Sequence, residues 1–345
     1  MNILPANTVG RRAIVGGLAL LVGLVAVATL LSCFGRFAWP LDLLSFARQH
    51  LFLAAIGLAT TALALRCRRW ALVAAAAAVA NGLMLLPTMG GGMTPAVAAM
   101  PSRALRVVTL NVLVDNHRSR QAVNFLRASG ADVIAVQEVT TWWASKLTTL
   151  SDLYPYVAPA LDADDSAVLV LSRFPIVSVE RLQPPPGSLL SDLDRPVRVV
   201  IAVHDLRISI YAVHPPTPRS MQQWTARNSQ VEWLGRVSRD LDGDRPRIML
   251  GDFNTPPWSF LFTDLLVAAQ LRDAGGGGFR QPTRQPLLAA PRLAWLGAPV
   301  DHVLVSSEIG VAAFAVGPDV FSDHLPVIAD LRLHGVQPSD VSPAR

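Results

Sequence analysis

The stretch Ile248-Met-Leu-Gly-Asp-Phe-Asn254 shows the pattern that determines the fold of this chain. Its first three residues form a short apolar run that predicts a buried β-strand, and Gly251 ends that run. Asp252 and Asn254 follow at once, and their spacing of two allows both side chains to face the same way. The stretch therefore predicts a polar site built on the end of a buried strand.

Similar β-type runs, which begin or end on polar residues, recur through the C-terminal two thirds of the chain. Polar groups at strand ends come together when the strands end on one side of a sheet. Strands are predicted at 105–110, 133–136, 168–171, 197–203, 206–213, 248–250, 300–305 and 327–331, with helices at about 118–129 and 219–240. The polar residues at the ends of these runs include Asn111, Gln137, Glu138, His214, Asp252, Asn254, Asp301, Ser322, Asp323 and His324.

Three of these residues, Asn111, Glu138 and Asp323, carry hard oxygen ligands. Carboxylate and amide oxygens suit Mg²⁺, and they also suit Mn²⁺. Soft thiolate ligands are absent from this part of the chain, because the only two cysteines of the sequence, Cys33 and Cys67, lie in its first third. The three residues are therefore the candidate ligands of a Mg²⁺ ion, with Mn²⁺ as the alternative.

The remaining polar residues suit acid–base and hydrogen-bonding chemistry. Asp252 and Asn254 could hold a water molecule, one accepting its proton and the other fixing its direction. His214 and His324 could donate hydrogen bonds to the oxygens of a phosphate group. A carboxylate such as Asp301 beside His324 would orient its ring and raise its pKa. Together with a metal ion, these groups predict the metal-assisted hydrolysis of a phosphate ester.

Residue counts exclude several other classes of protein. Lys146 is the only lysine, so no Gly-x-x-x-x-Gly-Lys phosphate-binding loop is present. Neither a Gly-x-Ser-x-Gly nucleophile motif nor a His-Glu-x-x-His zinc motif occurs. Residues 101–345 carry 23 basic and 24 acidic side chains, which argues against a basic domain that coats nucleic acid.

The first third of the chain has the composition of a membrane anchor. Of all 345 residues, 51% are hydrophobic and only 16% are charged, and the mean hydropathy is +0.38. Three apolar stretches, at about 13–31, 49–65 and 70–86, approach or exceed the length that a helix needs to cross roughly 30 Å of hydrocarbon. We therefore predict three transmembrane helices within an anchor formed by residues 1–88.

The arginines that flank these stretches predict their orientation. Arg11 and Arg12 precede the first stretch, and three arginines at 66–69 separate the second from the third. Because basic residues favour the cytoplasmic side, the N-terminus is predicted to be cytoplasmic and the chain after the third span extracytoplasmic. A cleaved secretion signal, with a lipoprotein-like Leu-Leu-Ser-Cys at 30–33, is the alternative.

The chain beyond the anchor is predicted to form one domain. A Gly- and Pro-rich stretch at 89–103 indicates a flexible linker, and residues 336–345 indicate a disordered tail. Between them, the many short strands and few helices of residues 104–335 favour an α/β fold. In that fold two mixed sheets pack together under flanking helices.

The motifs of this domain, taken together and in order, resemble those of the endonuclease/exonuclease/phosphatase superfamily. Its deoxyribonuclease-I-like members include nucleases, neutral sphingomyelinases and inositol polyphosphate phosphatases. The resemblance extends over 105–333, and its most characteristic motifs are Gly251-Asp-Phe-Asn254 and Ser322-Asp-His-Leu-Pro326. The Thr-Pro-Pro-Trp that follows the first motif differs from the inositol phosphatases. The chain looks most like a bacterial membrane-anchored subgroup.

This resemblance implies a four-layer α/β sandwich with its site at one edge. It implies that Glu138 is the principal metal ligand and that Asp323 and Asn111 assist it. His324, paired with Asp301, would act on the phosphate group of the substrate.

The resemblance leaves other roles open. Asp252 is the preferred base for activating water, although accounts of the family differ on that step. The mid-chain histidine of the family, which matches His214, often has a carboxylate partner, for which Asp194 is one candidate. For Arg219 and Arg227, which follow His214, a solvated helix face is the favoured interpretation and contact with phosphate is the alternative.

These observations predict a metal-dependent phosphodiesterase held by three transmembrane helices in a bacterial inner membrane. The leading prediction is a nuclease that acts on DNA or RNA outside the cytoplasm. The alternatives are a phosphodiesterase or phosphatase of the sphingomyelinase type, acting on phospholipids or head groups, and a catalytically inactive binding module. No protein partner is predicted.

Overall fold

The computed structural model describes residues 8–86, 102–159, 167–184, 195–285 and 291–334. These residues divide into two compact units, the first made of 8–86 with 258–260 and the second of the others. Asp194 and the predicted tail lie outside the described residues. Most of the predicted linker does so too, although a strand begins at Ser102, within the linker's predicted bounds.

The first unit is helical. Its helices are α1 (Thr8–Ser32), α2 (Trp39–Leu43), α3 (Arg48–Ala64) and α4 (Arg68–Leu85), with a 3₁₀ turn at Leu44–Ala47. Small side chains fill the contacts among α1, α3 and α4, because alanine allows helix backbones to approach closely. Large apolar side chains point outward instead. Leu20, Leu24, Leu63, Leu72 and Leu83 are each more than half exposed.

Two stretches of this unit, Gly10–Ser32 and Trp39–Ala64, are long and apolar enough to cross a membrane. They qualify by length and composition, criteria that a core helix or a signal sequence also meets. The prediction of three such helices is not met within the described residues. The stretch predicted at 70–86 does form α4, but two arginines in its first turn and the buried Asn81 reduce its hydropathy.

The second unit contains twelve strands in the residues that the structure describes. They are β1 (Ser102–Asn111), β2 (Val133–Val139), β3 (Tyr156–Ala158), β4 (Ala167–Ser172), β5 (Ile176–Arg181), β6 (Val197–Val203), β7 (Leu206–Val213), β8 (Arg247–Asp252), β9 (Arg272–Asp273), β10 (Asp301–Val305), β11 (Ile309–Val316) and β12 (Val327–His334). Its longer helices are α5 (Ser119–Ala128), α6 (Thr141–Leu147), α7 (Met221–Asp242) and α8 (Phe260–Ala269).

These strands form two six-stranded sheets. The first sheet has the order β11-β12-β1-β2-β4-β3, and the second has the order β5-β6-β7-β8-β10-β9. The pairs β1–β2 and β7–β8 are parallel and the other pairs are antiparallel, so both sheets are mixed. The prediction of an α/β fold with two mixed sheets is confirmed.

Apolar residues of both sheets form one shared core between them, which includes Val107 and Leu250. On the outer face of the first sheet, Leu126 of α5 and Trp143 of α6 pack against Ile134. Helices α7 and α8 cover the outer face of the second sheet in the same way. The layers therefore run helix, sheet, sheet, helix, because each sheet has one apolar face for its partner and one for its helices.

Strand direction explains why polar residues collect at one edge of each sheet. Strands β1 and β2 end at the same edge because they are parallel, and so do β7 and β8. Strand β10 runs antiparallel to β8, and its first residue, Asp301, pairs with Asp252 at the end of β8. Gly251 is required just before Asp252, since its φ is +150° and a Cβ there would lie 2.0 Å from the Val213 carbonyl oxygen.

The C-terminal end of α7 is held by Asp242, a carboxylate buried against the second sheet. It accepts hydrogen bonds from Arg198 and Tyr211, and at 2.7 Å each from the Ser209 hydroxyl and Arg245 Nη1. Burial alone would raise the pKa of Asp242, but these donors, Arg198 first, lower it. The group therefore stabilises the fold as a carboxylate.

We expect Asp242→Asn to lower the free energy of unfolding by about 3 kcal/mol at pH 7, because it removes the buried negative charge that pairs with Arg198. Since the folded-state pKa of Asp242 is depressed, its contribution is present above the unfolded pKa of about 4 and is lost as the pH falls. Denaturant unfolding of the full chain measures the difference. Asp240→Asn, an exposed carboxylate on the same helix, is the control. Equal stability of the two variants would contradict this account.

Candidate active site

The polar residues predicted at the strand ends meet at one edge of the paired sheets. Asn111, the last residue of β1, donates from Nδ2 to Glu138 Oε1 at 2.9 Å and to Asp252 Oδ2 at 3.3 Å. Glu138 lies in β2 of the first sheet, whereas Asp252 ends β8 of the second. The amide of Asn111 thus joins the carboxylates of the two sheets.

Glu138 is held in an unusual backbone conformation. Its φ is +60°, a region that a residue with a side chain adopts only when its surroundings enforce it, often at functional sites. Its Oε2 accepts a hydrogen bond from the Val114 amide at 2.8 Å, while Oε1 accepts from Asn111. These two bonds orient the carboxylate, which is 21% exposed and so remains accessible from solvent.

His214, which follows β7, lies beside both of these carboxylates. Its Nε2 is 3.6 Å from Glu138 Oε1 and 3.7 Å from Asp252 Oδ2, longer than hydrogen bonds but close enough for strong electrostatic attraction when the ring is protonated. The structure therefore brings His214 to the site, and its predicted partner Asp194 lies outside the part of the chain described.

A buried histidine, His324, lies between two aspartates of the site. His324 Nδ1 is hydrogen-bonded to Asp301 Oδ2 at 2.9 Å, and its Nε2 lies 3.5 Å from Asp252 Oδ2. Burial alone would lower the pKa of His324, but the charges of Asp301 and Asp252 outweigh it and raise the pKa to about 9. The ring is therefore cationic near neutral pH, as the sequence predicts for a histidine beside Asp301.

Two hydroxyls hold this pair in place. Ser322 Oγ donates to the Asn111 carbonyl at 2.7 Å and accepts from the His324 amide at 3.1 Å. Thr283 Oγ1 accepts from the amides of Val300 and Asp301, at 2.9 and 3.0 Å. The segment that carries His324 is thus tied to the end of β1, and the start of β10, which carries Asp301, is tied to Thr283.

The raised pKa of His324 leads to a spectroscopic prediction. We expect NMR titration of the metal-free full chain to show His324 losing its proton near pH 9, so that the ring is charged below that pH and neutral above it. Asp301→Asn should shift the midpoint towards 6.5, the ordinary histidine value, because the nearest negative charge is removed. A wild-type midpoint at 6.5 would contradict the charged pair.

Asp252 and Asn254 share a tight turn. Asp252 Oδ1 accepts from the Asn254 amide N–H at 2.8 Å, and Asn254 has a φ of +48°. The Asn254 side chain donates from Nδ2 to the Pro215 carbonyl at 3.0 Å and accepts on Oδ1 from Arg284. Asn254 thus fixes the loop after His214, and its predicted role in directing water remains a prediction.

Two arginines reach this site without a clear signal in the sequence. Arg227 is buried and donates from Nη1 to the Asn254 carbonyl at 3.0 Å, so its interpretation as a solvated side chain is wrong, whereas Arg219 is exposed. Arg284 donates from Nη1 to Asn254 Oδ1 at 3.0 Å. Arg284 lies in a Pro-rich loop that carries no strand or helix periodicity, so only the folded structure reveals its position.

The donor set around Glu138 fits a divalent cation. Burial raises the pKa of Asp323, and the nearby charges of Glu138 and Asp252 raise it further, against the opposing charges of His324 and Arg284. Oδ1 of Asp323 is buried and has no hydrogen-bond partner among the described residues. A hard cation would neutralise these carboxylates and satisfy that oxygen. Asn111 donates a hydrogen bond to Glu138 through Nδ2, while its Oδ1 accepts one from the Leu113 amide at 3.0 Å.

A second group of residues also has ligand-like geometry. One atom each of Asp252, Asp301 and His324 lies within 4.8 Å of the others. A protonated imidazole has no lone pair for a metal, and the pKa of His324 lies well above neutral. This charge state favours proton transfer and hydrogen bonding for the group, and leaves Glu138 and Asp323 as the stronger candidates for metal ligands.

Comparison with known proteins identifies similar sequences and folds. A model described as the Endonuclease/Exonuclease/phosphatase family matches residues 108–324, which include every residue of this site. No curated protein matches the chain.

Several solved structures share the fold of the second unit. Sphingomyelinase C from Streptomyces griseocarneus is 20% identical with a TM-score of 0.52, over 67% of this chain and 99% of that one. An endonuclease/exonuclease/phosphatase from Beutenbergia cavernae is 25% identical with a TM-score of 0.51, over 68% and 72% of the two chains. One from Bacteroides vulgatus is 17% identical with a TM-score of 0.53, over 67% and 100%.

Proposed function

The chain belongs to the endonuclease/exonuclease/phosphatase family, and we propose from its site that it is a membrane-anchored phosphodiesterase dependent on Mg²⁺ or Mn²⁺. Enzymes of this family are hydrolases that act on phosphate esters. One observation carries the proposal. A single amide, that of Asn111, bonds to Glu138 and Asp252, and Asp252 in turn lies beside the buried His324–Asp301 pair.

The metal would bind at the acidic side of this site. Glu138 and Asp323 would hold it, with Asn111 as the third predicted ligand. When bound, Mg²⁺ or Mn²⁺ supplies positive charge that stabilises the negative charge developing on the phosphate oxygens.

Residues of the chain itself would accept the proton of the attacking water and donate hydrogen bonds to the phosphate. Burial would raise the pKa of Asp252, but the neighbouring histidines, His324 first, lower it, so the carboxylate is ionised and can accept a proton from an attacking water. Cationic His324 can donate from Nε2 to a phosphate oxygen while its Nδ1 remains bonded to Asp301. His214 Nε2 lies 3.7 Å from Asp252 Oδ2 and can donate to the same phosphate group.

We propose a nucleic acid as the leading substrate, with a phospholipid or its head group as the alternative. The near balance of basic and acidic residues after residue 100 argues against tight binding of duplex DNA. A site tethered to a bilayer would favour a lipid substrate, and the sphingomyelinase C that shares the fold acts on such a lipid, as its name states. An inactive binding module is the third possibility.

Membrane anchoring is also part of the proposal. Two apolar stretches of sufficient length and the outward-facing leucines of α1, α3 and α4 support a first unit surrounded by lipid. The arginine pattern supports a cytoplasmic N-terminus and a second unit outside the cytoplasm, in a bacterial inner membrane. An alkaline phosphatase fusion after residue 101 should be active, whereas a green fluorescent protein fusion there should be dark. An inactive phosphatase fusion and a bright green fluorescent protein fusion would show that the second unit lies in the cytoplasm, against the proposal.

A two-substrate assay tests the activity and separates the candidates. The full chain in detergent is incubated with Mg²⁺ and either supercoiled plasmid or sphingomyelin micelles. Nicked plasmid would establish the nuclease, and released phosphocholine the lipid phosphodiesterase. Each activity should be lost in His324→Ala and kept in His204→Asn, a histidine in the β6–β7 turn outside the site. No turnover of either substrate by the folded wild type would favour the inactive module.

A further inference from the structure

Arg284 is anchored in the site by its backbone. Its amide donates to the Ala298 carbonyl at 3.0 Å, and the residues on either side of it bond to the loop before β12. On one side the Thr283 carbonyl accepts from the Leu325 amide at 2.7 Å, and on the other the Gln285 amide donates to the Asp323 carbonyl at 2.7 Å. The position of the Arg284 side chain therefore follows from the same segments that carry Asp301, Asp323 and His324.

The Arg284 guanidinium lies between two parts of the site. Its Nη1 is 3.0 Å from Asn254 Oδ1, and its Nε is 4.0 Å from Asp323 Oδ2. Its positive charge also acts on Asp252, whose ionised form it stabilises. The side chain is 23% exposed, so part of it is accessible from solvent.

Arg284 differs from two other arginines of the same unit in its partners. Arg280 is paired with the Asp273 carboxylate at 2.6 Å, and Arg198 is paired with buried Asp242. In the described residues the only hydrogen-bond acceptor of the Arg284 guanidinium is a neutral amide, and its carboxylate contact with Asp323 is longer than a hydrogen bond. An arginine has five N–H donors, so most of those of Arg284 remain available to a ligand.

We propose that Arg284 is a phosphate-binding residue whose guanidinium holds the non-bridging oxygens of the substrate phosphate from the Asn254 side. The planar fork of a guanidinium matches two oxygens of one phosphate group. In this arrangement the phosphate lies between Arg284 and His324, with the candidate metal ligands Glu138 and Asp323 nearby. The inference deepens the proposed function and rests on it for the identity of the substrate group.

Binding of inorganic phosphate to the full chain in detergent tests this role without requiring turnover. Titration calorimetry is run in EDTA and again in Mg²⁺, with the wild type, Arg284→Gln, Arg284→Lys and the exposed control Arg236→Met. We expect Arg284→Gln to weaken phosphate binding by at least about tenfold, since it loses charge-assisted bonds, and Arg284→Lys to weaken it less. Arg236→Met should bind like the wild type.

The pair of variants separates binding from positioning. Glutamine and lysine are both shorter than arginine, so a residue that only positions Asn254 through Nη1 would lose that bond in both variants, and the two would bind phosphate equally. Phosphate affinity that is equal in Arg284→Gln and Arg284→Lys, or equal in all variants, would overturn the proposal, and thermal unfolding of each variant shows whether it is folded. If one Arg284 variant fails to fold, the phosphate affinity of the other is compared with that of the wild type. If phosphate binding depends on Arg284 but the chain hydrolyses no substrate, the proposed function is contradicted and this inference is supported.

Discussion

Glu138→Gln is expected to lower kcat/KM for a phosphodiester by about 10³-fold in Mg²⁺, or about 4 kcal/mol of transition-state stabilisation. The substitution keeps the size of the side chain but removes the negative charge that would hold the cation. It also replaces one acceptor of the Asn111 and Val114 hydrogen bonds by an amide nitrogen. Initial rates over a range of substrate concentrations measure the effect.

The cause of this loss can be checked separately. Binding of Mn²⁺, followed by its paramagnetic resonance signal, should be weakened at least tenfold in Glu138→Gln. Glu232→Gln, an exposed glutamate on α7, should leave both the rate and the affinity unchanged. Wild-type Mn²⁺ affinity in Glu138→Gln would remove this residue from the metal site.

His324→Ala is expected to lower kcat by about 10³-fold, because the site loses its buried cation and hydrogen-bond donor. Asp301→Asn should cost less, about 10²-fold, since the imidazole remains but the group that keeps it charged and oriented is gone. His204→Asn is the control, with asparagine chosen because residue 204 has a positive φ.

A double variant tests whether the two residues act as one unit. If Asp301 acts only through His324, then His324→Ala combined with Asp301→Asn should be no slower than His324→Ala alone. Steady-state kcat values for the four proteins complete the cycle. Independent, multiplying losses would contradict the role of Asp301 as a residue that positions and charges His324.

Much of the site follows from the sequence because it lies at strand ends. Asn111, Glu138, Asp252 and Asp301 each adjoin a short apolar run, and the structure places all four at one edge of the two sheets. The sequence of a strand shows which polar residue lies at its end. Tertiary packing decides which residues of other strands lie beside that residue. The sequence therefore could not show that the Asn111 amide bonds across the two sheets to Asp252.

Other features of the structure have no local sequence pattern that predicts them. Arg284 occupies a loop between prolines, where no periodicity relates a residue to a face of the fold. The usual rule that arginines face solvent predicts an exposed Arg227, yet the structure buries it, with the Asn254 carbonyl as a partner. In the first unit, helix α4 was predictable as a helix, but its arginines and Asn81 separate it from the two more apolar stretches.

The proposed activity of this chain is the hydrolysis of phosphodiesters with a divalent cation bound at Glu138. Its most direct test is the hydrolysis of bis(p-nitrophenyl) phosphate by the full chain in detergent, first with Mg²⁺, then in EDTA, and then with excess Mg²⁺ restored. This substrate reports phosphodiester cleavage whatever the natural substrate is. The account predicts turnover that stops in EDTA, returns with Mg²⁺ and is nearly absent in Glu138→Gln. Turnover that continues in EDTA, or that survives in Glu138→Gln, would contradict it.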